Sequence, residues 1–262
     1  MKRIHIVGVS PRSGTTLLAE LMIACFEVDL HEEHEASLFT EPRRPGALYL
    51  TKQPRDIMVV GPRLRVDPDL WVICMIRDPR DIVVSRHGRN PDRYWAGLKF
   101  WRTYEPRARS LESHPRFLTI RYEELVSDPD GVQKLLMERL RFLVARAKFS
   151  EYHAVAHPSE LSLEALGPLR PIDRSSIGAW RRHLPRIAGQ IRIHGSISED
   201  LIRYGYESDR GWEALLEGVE PDLTPSHQPE RFSLRRHWKL RRGRYLGAVR
   251  VLVRRWLARM RG

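Results

Sequence analysis

The stretch Gly8-Val9-Ser10-Pro11-Arg12-Ser13-Gly14-Thr15-Thr16 combines two glycines, one arginine and two adjacent threonines. The β-branched run Ile4-His5-Ile6-Val7 before it reads as a buried strand, and Leu17 to Phe26 after it reads as a helix. Strand, tight glycine loop and helix aim several backbone N–H groups and a helix dipole at one anion. Thr15 and Thr16 can add hydroxyl donors to the same oxygens, so the stretch reads as a phosphate cradle. The nucleoside-triphosphate form of such a cradle, G-x-x-x-x-G-K-[ST], needs a lysine directly after the second glycine. Here Gly8 and Gly14 stand one residue too far apart, Thr15 takes the lysine's place, and the positive charge sits on Arg12. A loop of this kind suits a single 5′-phosphate carrying one reactive group better than a β,γ-phosphate pair with magnesium.

A second anion site is readable downstream. Trp71-Val72-Ile73-Cys74-Met75-Ile76 is apolar throughout, as a central parallel strand should be. Arg77-Asp78-Pro79-Arg80-Asp81 follows, and then a helix is expected over Ile82 to His87, with Ser85 in its first turns. Ligands of open parallel sheets bind at this carboxyl edge. The competing reading pairs Arg77 with Asp78 or Asp81. The run His31-Glu32-Glu33-His34-Glu35 is not a zinc-protease signature, because position 35 would have to be histidine. With no third ligand for His31 and His34, no metal is expected.

These residues need a scaffold, and strands alternating with helices predict one: an α/β fold with a three-layer parallel sheet covered by helices on both faces, like the P-loop-containing nucleotide hydrolases. Leu48 to Thr51 reads as a strand ending in the turn Lys52-Gln53-Pro54, and residues 55–65 as a helix. An aromatic helix is expected over residues 91–113, with Tyr94, Trp95, Phe100, Trp101 and Tyr104 in the core. Arg116 to Arg121 reads as another strand, with helices at Tyr122-Glu123-Glu124-Leu125 and from about Pro129. Residues 148–174 read as partly irregular, and a last compact helix ends near Tyr204-Gly205-Tyr206. Cys25 and Cys74 read as small buried hydrophobes rather than a disulfide framework.

The formal charge of +12 is confined to one end. Residues 231–262 hold 12 Lys/Arg and no acid; removing these from the 45 basic residues leaves 33 against 33 acidic ones in the body. The expected organisation is therefore an α/β domain over 1–210, a linker over 211–230 and a basic tail over 231–262. In the tail, Leu246, Val249, Val253, Trp256 and Met260 fall on one helical face, with Arg250, Arg254, Arg255, Arg259 and Arg261 on much of the remainder. A cationic amphipathic helix fits the interface of an anionic membrane. Nucleic-acid binding, a disordered basic tail, and docking onto the body or a second subunit are the competing readings. Nucleic acid is disfavoured because a continuous apolar face adds nothing to phosphate contacts. With no apolar signal region and no bilayer-spanning run, a cytoplasmic body is expected, attached peripherally at the inner membrane face through the tail.

Two anion sites at adjacent strand ends imply a nucleotide phosphorylated at both ends, the shape of 3′-phosphoadenosine 5′-phosphosulfate (PAPS). From residue 4 to about 206 the chain resembles the PAPS-dependent sulfotransferase family, in the branch of bacterial sulfotransferase-like proteins and tyrosylprotein sulfotransferases. Pro11 to Thr16 resembles that family's 5′-phosphosulfate loop, and Arg77 through Ser85 its 3′-phosphate motif, with Arg77 and Ser85 as ligands. The resemblance further implies that Arg12, Ser13, Gly14, Thr15 and Thr16 hold the donor, that Glu33 is the base, and that Lys52 of Lys52-Gln53-Pro54 is a second catalytic cation. Tyr122-Glu123-Glu124-Leu125 and Gly178 to Trp180 match later landmarks, although Ala179 stands where a basic residue is common. Contacts covering the cofactor would then come from Arg174, Ser175, Arg181 or Arg182.

The chemistry implied is in-line sulfuryl transfer from PAPS to an acceptor hydroxyl, leaving PAP and requiring no metal. Glu33 would take the acceptor proton, with His34 as runner-up, and Arg12, Lys52 and loop N–H groups would stabilise developing charge. The acceptor (lipid, glycan, small alcohol or tyrosine) is not readable. Two other readings stand beside this one: a P-loop small-molecule kinase, and a non-catalytic nucleotide-binding peripheral membrane protein.

Overall fold

A computed structural model describes residues 1–87, 90–228 and 234–260. In chain order the elements are β1 (Lys2–Gly8), α1 (Thr15–Cys25), β2 (Leu30–His31), β3 (Leu48–Lys52), α2 (Val60–Val66), β4 (Leu70–Ile76), α3 (Pro79–Val83), β5 (Arg86–His87), β6 (Asn90–Tyr94), α4 (Leu98–Arg109) and β7 (Phe117–Arg121). They continue with α5 (Tyr122–Ser127), α6 (Pro129–Arg139), α7 (Tyr152–Val155), α8 (Glu160–Leu166), α9 (Leu184–His194), α10 (Ser198–Arg203) and α11 (Leu234–Arg259). Five strands form one sheet in the order β2-β3-β1-β4-β7, every pair parallel.

The central strands are apolar because both faces are covered. Side chains alternate between two cores. Val7, Val72, Cys74 and Ile76 face a layer that includes Leu64 of α2 and Trp101 of α4. Ile4, Ile6, Ile73 and Met75 face Leu18 and Met22 of α1 and Leu136 of α6. The carboxyl ends of β1, β3, β4 and β7 thereby come to one edge, bringing Gly8, Lys52, Arg77 and Tyr122 together.

Several local expectations are revised. The helix expected over 55–65 is a 3-10 turn at Pro54–Met58 followed by α2. Pro62 explains the break, since it lacks the N–H that a continuous helix would direct to the Met58 carbonyl. The helix expected over Ile82 to His87 is α3, which ends at Val83; Ser85 lies past its end, where the chain enters the antiparallel β5–β6 pair. Tyr94 therefore belongs to a strand, and the aromatic helix starts only at Leu98, after Gly97. The two-residue edge strand β2 carries too little pattern to be read in advance.

Residues 211–228, expected as a linker, are packed into the body. Trp212 is buried edge-on against Trp180, with ring centroids 6.0 Å apart. The Asp222 backbone crosses α9 at Gly189, where a Cβ would lie 2.0 Å from the Asp222 carbonyl oxygen. Arg186 donates to the Thr224 carbonyl (2.7 Å) and to Ser226 Oγ (2.6 Å). The expected boundary at 230–231 lies outside the described residues. The tail is one long helix, α11, which packs on α2. Gly247 and Ala248 are buried in that contact, and a Cβ on Gly247 would meet Phe39 Cε1 at 1.8 Å. Of the tail arginines, Arg250 is exposed; Arg261 and the side chains of Arg254, Arg255 and Arg259 lie outside the described residues. Among the described residues, no helix is long and apolar enough to cross a membrane.

Candidate active site

The loop between β1 and α1 is shaped by its glycines. A Cβ on Gly8 would fall 2.3 Å from Ser13 Oγ. Gly14 takes φ +93°, and a Cβ there would lie 2.5 Å from Tyr122 Cδ2. Arg12 is the one non-glycine with positive φ (72°) among the described residues, a conformation that costs energy and is typical of binding loops. Ser13 is buried and donates to the Ser10 carbonyl (2.8 Å), so its hydroxyl closes the loop.

The loop forms the floor of a cavity of about 730 Å³ whose wall includes Arg12, Gly14, Thr15, Thr16, Lys52 and Arg77. Arg12 donates through Nε to Ser85 Oγ (2.9 Å) and through Nη1 to the Ala165 carbonyl (3.1 Å). Arg77 donates to the carbonyls of Arg12 (3.3 Å) and Ser176 (2.9 Å). Its guanidinium lies 4.3 Å from the Tyr122 ring centroid, and its Nε is buried without a partner. Tyr122 OH and Ser176 Oγ are 2.8 Å apart. Lys52 is buried and donates to Thr16 Oγ1 (3.0 Å). The two anticipated anion sites thus meet at Arg12, through its side chain toward Ser85 and its carbonyl toward Arg77.

Three cations share this site, and the hydrogen bonds they make go to neutral oxygens. Burial lowers the Lys52 pKa below the ordinary lysine value, and the charges of Glu35 and Glu20 oppose that shift. Enclosure and the neighbouring Arg77 guanidinium lower Arg12 as well, with Tyr122 opposing. Glu35, Glu164 and Asp173 stand on the same wall, but Arg12, Lys52 and Arg77 spend their hydrogen bonds on neutral oxygens, an arrangement that fits a polyanion of phosphate or sulfate groups. The orphaned Arg77 donor points the same way.

The other anticipated residues divide. Ser175 is on the wall, with its N–H and hydroxyl donating to Asp173 Oδ1. Arg174 is off it and donates to the Ser127 carbonyl (2.6 Å). Arg181 lies over Trp180, its guanidinium 4.7 Å from the ring, and neither it nor Arg182 lines the cavity. In the run His31 to Glu35, His34 and Glu35 reach the wall. Glu33 is exposed and off the wall, with its backbone carbonyl accepting from Ser159 Oγ (2.9 Å).

Sequence reasoning missed the cover of the site. The segment from Leu161 to Ser176 supplies much of the wall, including Leu161, Leu163, Leu166, Leu169 and Ile172. Helix α8 is capped by Ser159, and Ser162 Oγ donates to the buried Glu20 of α1 at 2.5 Å. Glu20, a lone acid inside an apolar helix, was the available signal.

The Arg77-to-Asp81 pentapeptide also has a second purpose. Asp78 caps α3 at Arg80 N (2.9 Å) and pairs with the Arg80 guanidinium (2.7 Å), which is also bonded to Glu207 (2.5 Å). That guanidinium sits between Trp180 and Trp212, 4.0 and 4.9 Å from their centroids. Asp81 accepts from Gly178 N (2.8 Å) and Trp180 N (3.0 Å). The alternative pairing of Arg77 with Asp78 or Asp81 therefore does not occur: Asp78 holds Arg80, and Asp81 holds a loop.

The Sulfotransferase family model matches residues 25–142, somewhat under half of the chain. Over that stretch the sequence is similar to the sulfotransferase family. The matched segment contains Glu33, Lys52, Arg77 and Ser85 and begins after the glycine loop. Solved structures with similarity include the sulfotransferase domain from the Synechococcus PCC 7002 olefin synthase, at 17% identity and TM-score 0.41, covering 69% of this chain and 87% of that one. Another is retinol dehydratase in a complex with retinol and PAP, at 13% identity and TM-score 0.41, covering 89% and 84%. The α/β fold is read from the chain's own parallel sheet. No curated protein matches.

Proposed function

We propose that the protein is a sulfotransferase that moves a sulfuryl group from PAPS to an acceptor hydroxyl without a metal. The observation that carries this reading is the convergence of Arg12, Lys52 and Arg77, bonded only to neutral oxygens, on the carboxyl edge of a parallel sheet. Loop N–H groups with Arg12, Gly14, Thr15 and Thr16 would hold the 5′ end of the nucleotide, and Arg77 with Ser85 the 3′-phosphate. Ser175 would cover it from the lid side. When bound, PAPS supplies the sulfuryl group and a phosphate leaving group. Arg12 and Lys52 would offset the charge that develops there, an effect worth about 10²–10³ in rate for one preorganised donor.

The base comes from the run His31 to Glu35. Glu33 has the spacing the family resemblance implies; Glu35 is on the cavity wall, and its charge is felt by Lys52. The acceptor is an alcohol, and the leucine-rich lid favours one carried by a lipid or lipid-linked glycan presented at a membrane surface. The kinase reading loses ground because no lysine stands at the loop to hold a β,γ-phosphate pair.

The test is incubation with labelled PAPS and extracts fractionated into lipid, glycan and protein pools, alongside PAP calorimetry in EDTA. Label should enter the lipid or glycan pool, and PAP should bind in EDTA. Absence of PAP binding, or its loss in EDTA, refutes the reading. Glu33→Gln, Glu35→Gln and His34→Ala then identify the base: its variant keeps PAP affinity and loses turnover.

A further inference from the structure

We infer that α11 is an interfacial helix whose outward face docks the protein on an anionic phospholipid surface. The inference extends the membrane part of the proposed function and is independent of the transfer chemistry.

The helix has two unlike sides. Its inner side is made close by small residues: Gly247 and Ala248 are buried against α2 and Phe39, and no side chain fits at Gly247. Its outer side carries Trp238, Tyr245, Leu246, Val249, Leu252, Val253, Trp256, Leu257 and Met260, each between 41 and 69% exposed. At 3.6 residues per turn these nine positions fall within an arc of about 140°, with Gly247 on the far side of the helix and Ala248 toward one edge of the arc. The face anticipated from sequence is thus real but wider, and it is not the face that meets the body. The helix is 26 residues long, or about 39 Å. From Tyr245 to Met260 eight of these side chains make an apolar stripe, which Arg242 separates from Trp238; an exposed stripe of this kind marks an interaction site.

Charge selects the occupant. Residues 231–262 contain 12 Lys/Arg and no acid. Arg250 is exposed beside the stripe, and Arg242 is exposed with its guanidinium 5.3 Å from the Trp238 ring. A second copy of the helix would bring one acid-free cationic segment against another, which like-charge repulsion opposes. Nucleic acid would satisfy the cations and leave the apolar arc in water. An anionic bilayer satisfies both: the stripe enters the headgroup–acyl boundary, tryptophans sit at the interface, and arginines reach lipid phosphates. The placement also links to the cavity. Gln228 lines its wall and accepts from Arg55 Nη2 at 2.6 Å, six positions ahead of Leu234, where α11 begins.

The experiment is co-sedimentation of the full chain with phosphatidylcholine vesicles, with and without phosphatidylglycerol, at low and high salt. Wild type should bind the anionic vesicles only, and more weakly at high salt. Val249→Glu with Val253→Glu should reduce that binding at least about ten-fold, and Trp256→Ala should reduce it by less. All three side chains are exposed, so thermal denaturation and PAP affinity should not move, and PAP affinity on the same samples reports the transfer chemistry separately. The inference is overturned if wild type ignores anionic vesicles or if the variants bind as well as wild type. It is also overturned if the double variant instead abolishes a dimer seen by light scattering, or if duplex DNA binds wild type more tightly than the vesicles do.

Discussion

Arg77→Ala should separate the 3′-phosphate from the rest of the nucleotide. The guanidinium is held by two carbonyls, at 3.3 and 2.9 Å, and by the Tyr122 ring at 4.3 Å, leaving a buried Nε without a partner. It is therefore fixed in place with donor capacity to spare. A hydrogen bond to a charged group contributes about 1.5–3 kcal/mol, which corresponds to a loss of about 13- to 150-fold in PAP affinity. Adenosine 5′-phosphate lacks the partner group, so its affinity should fall only through loosening of the site. The substitution also removes a cation–π contact worth about 0.5–2 kcal/mol, and the melting temperature should fall. For that reason the quantity to follow is the ratio of PAP to adenosine 5′-phosphate affinity by calorimetry, which loss of stability alone leaves unchanged. Arg77→Lys keeps the charge and loses the planar fork, so its ratio should lie between wild type and Arg77→Ala. A ratio that does not move in Arg77→Ala would refute the assignment and leave Arg77 a structural residue.

Three further outcomes follow from the geometry. Burial holds the Lys52 pKa below 10.5, so PAP affinity should fall on the alkaline side as pH rises through that lowered value. Stability of the ligand-free protein should rise over the same interval, because the unfolded chain binds the extra proton there; Lys52→Arg should move the binding limb to higher pH. Gly14→Ala places a Cβ against Tyr122 at φ +93°, costing about 1–2 kcal/mol for the left-handed backbone alone, and should lower both melting temperature and PAP affinity. Gly247→Leu has no room beside Phe39 and should release α11 from α2, read as faster amide exchange in both helices.

How much of this was legible depended on how local each cause was. The central strands and the glycine loop announce themselves, because buried parallel strands need unbroken apolar runs and a tight turn needs residues free of Cβ. Arg12 and Arg77 are legible because one stands in the glycine loop and the other at a strand's carboxyl end, whereas Lys52 is legible only through the family resemblance. The β5–β6 pair was not, since its Tyr94 fits a helical stripe equally well and Pro91 alone argued otherwise. Glu35 lies two residues from Glu33, and only the path of a loop without regular structure decides which of the two reaches the cavity. The lid is held by Ser162 and Glu20, 142 positions apart, a distance over which no periodicity carries information. The inner side of α11 escaped notice because small residues look like absence until Phe39 is seen against them.

The Arg77-to-Asp81 pentapeptide has a bearing on how other chains carrying it should be read. Only Arg77 reaches the cavity; Asp78 and Arg80 build a cation cage between two tryptophans, and Asp81 holds the Gly178–Trp180 loop. A descendant that had lost its activity would still unfold without the last three of these. Selection for folding alone would then preserve most of the pattern, and its presence would say little about catalysis. The informative position is Arg77, the member of the group such a descendant could replace at the least cost to its fold.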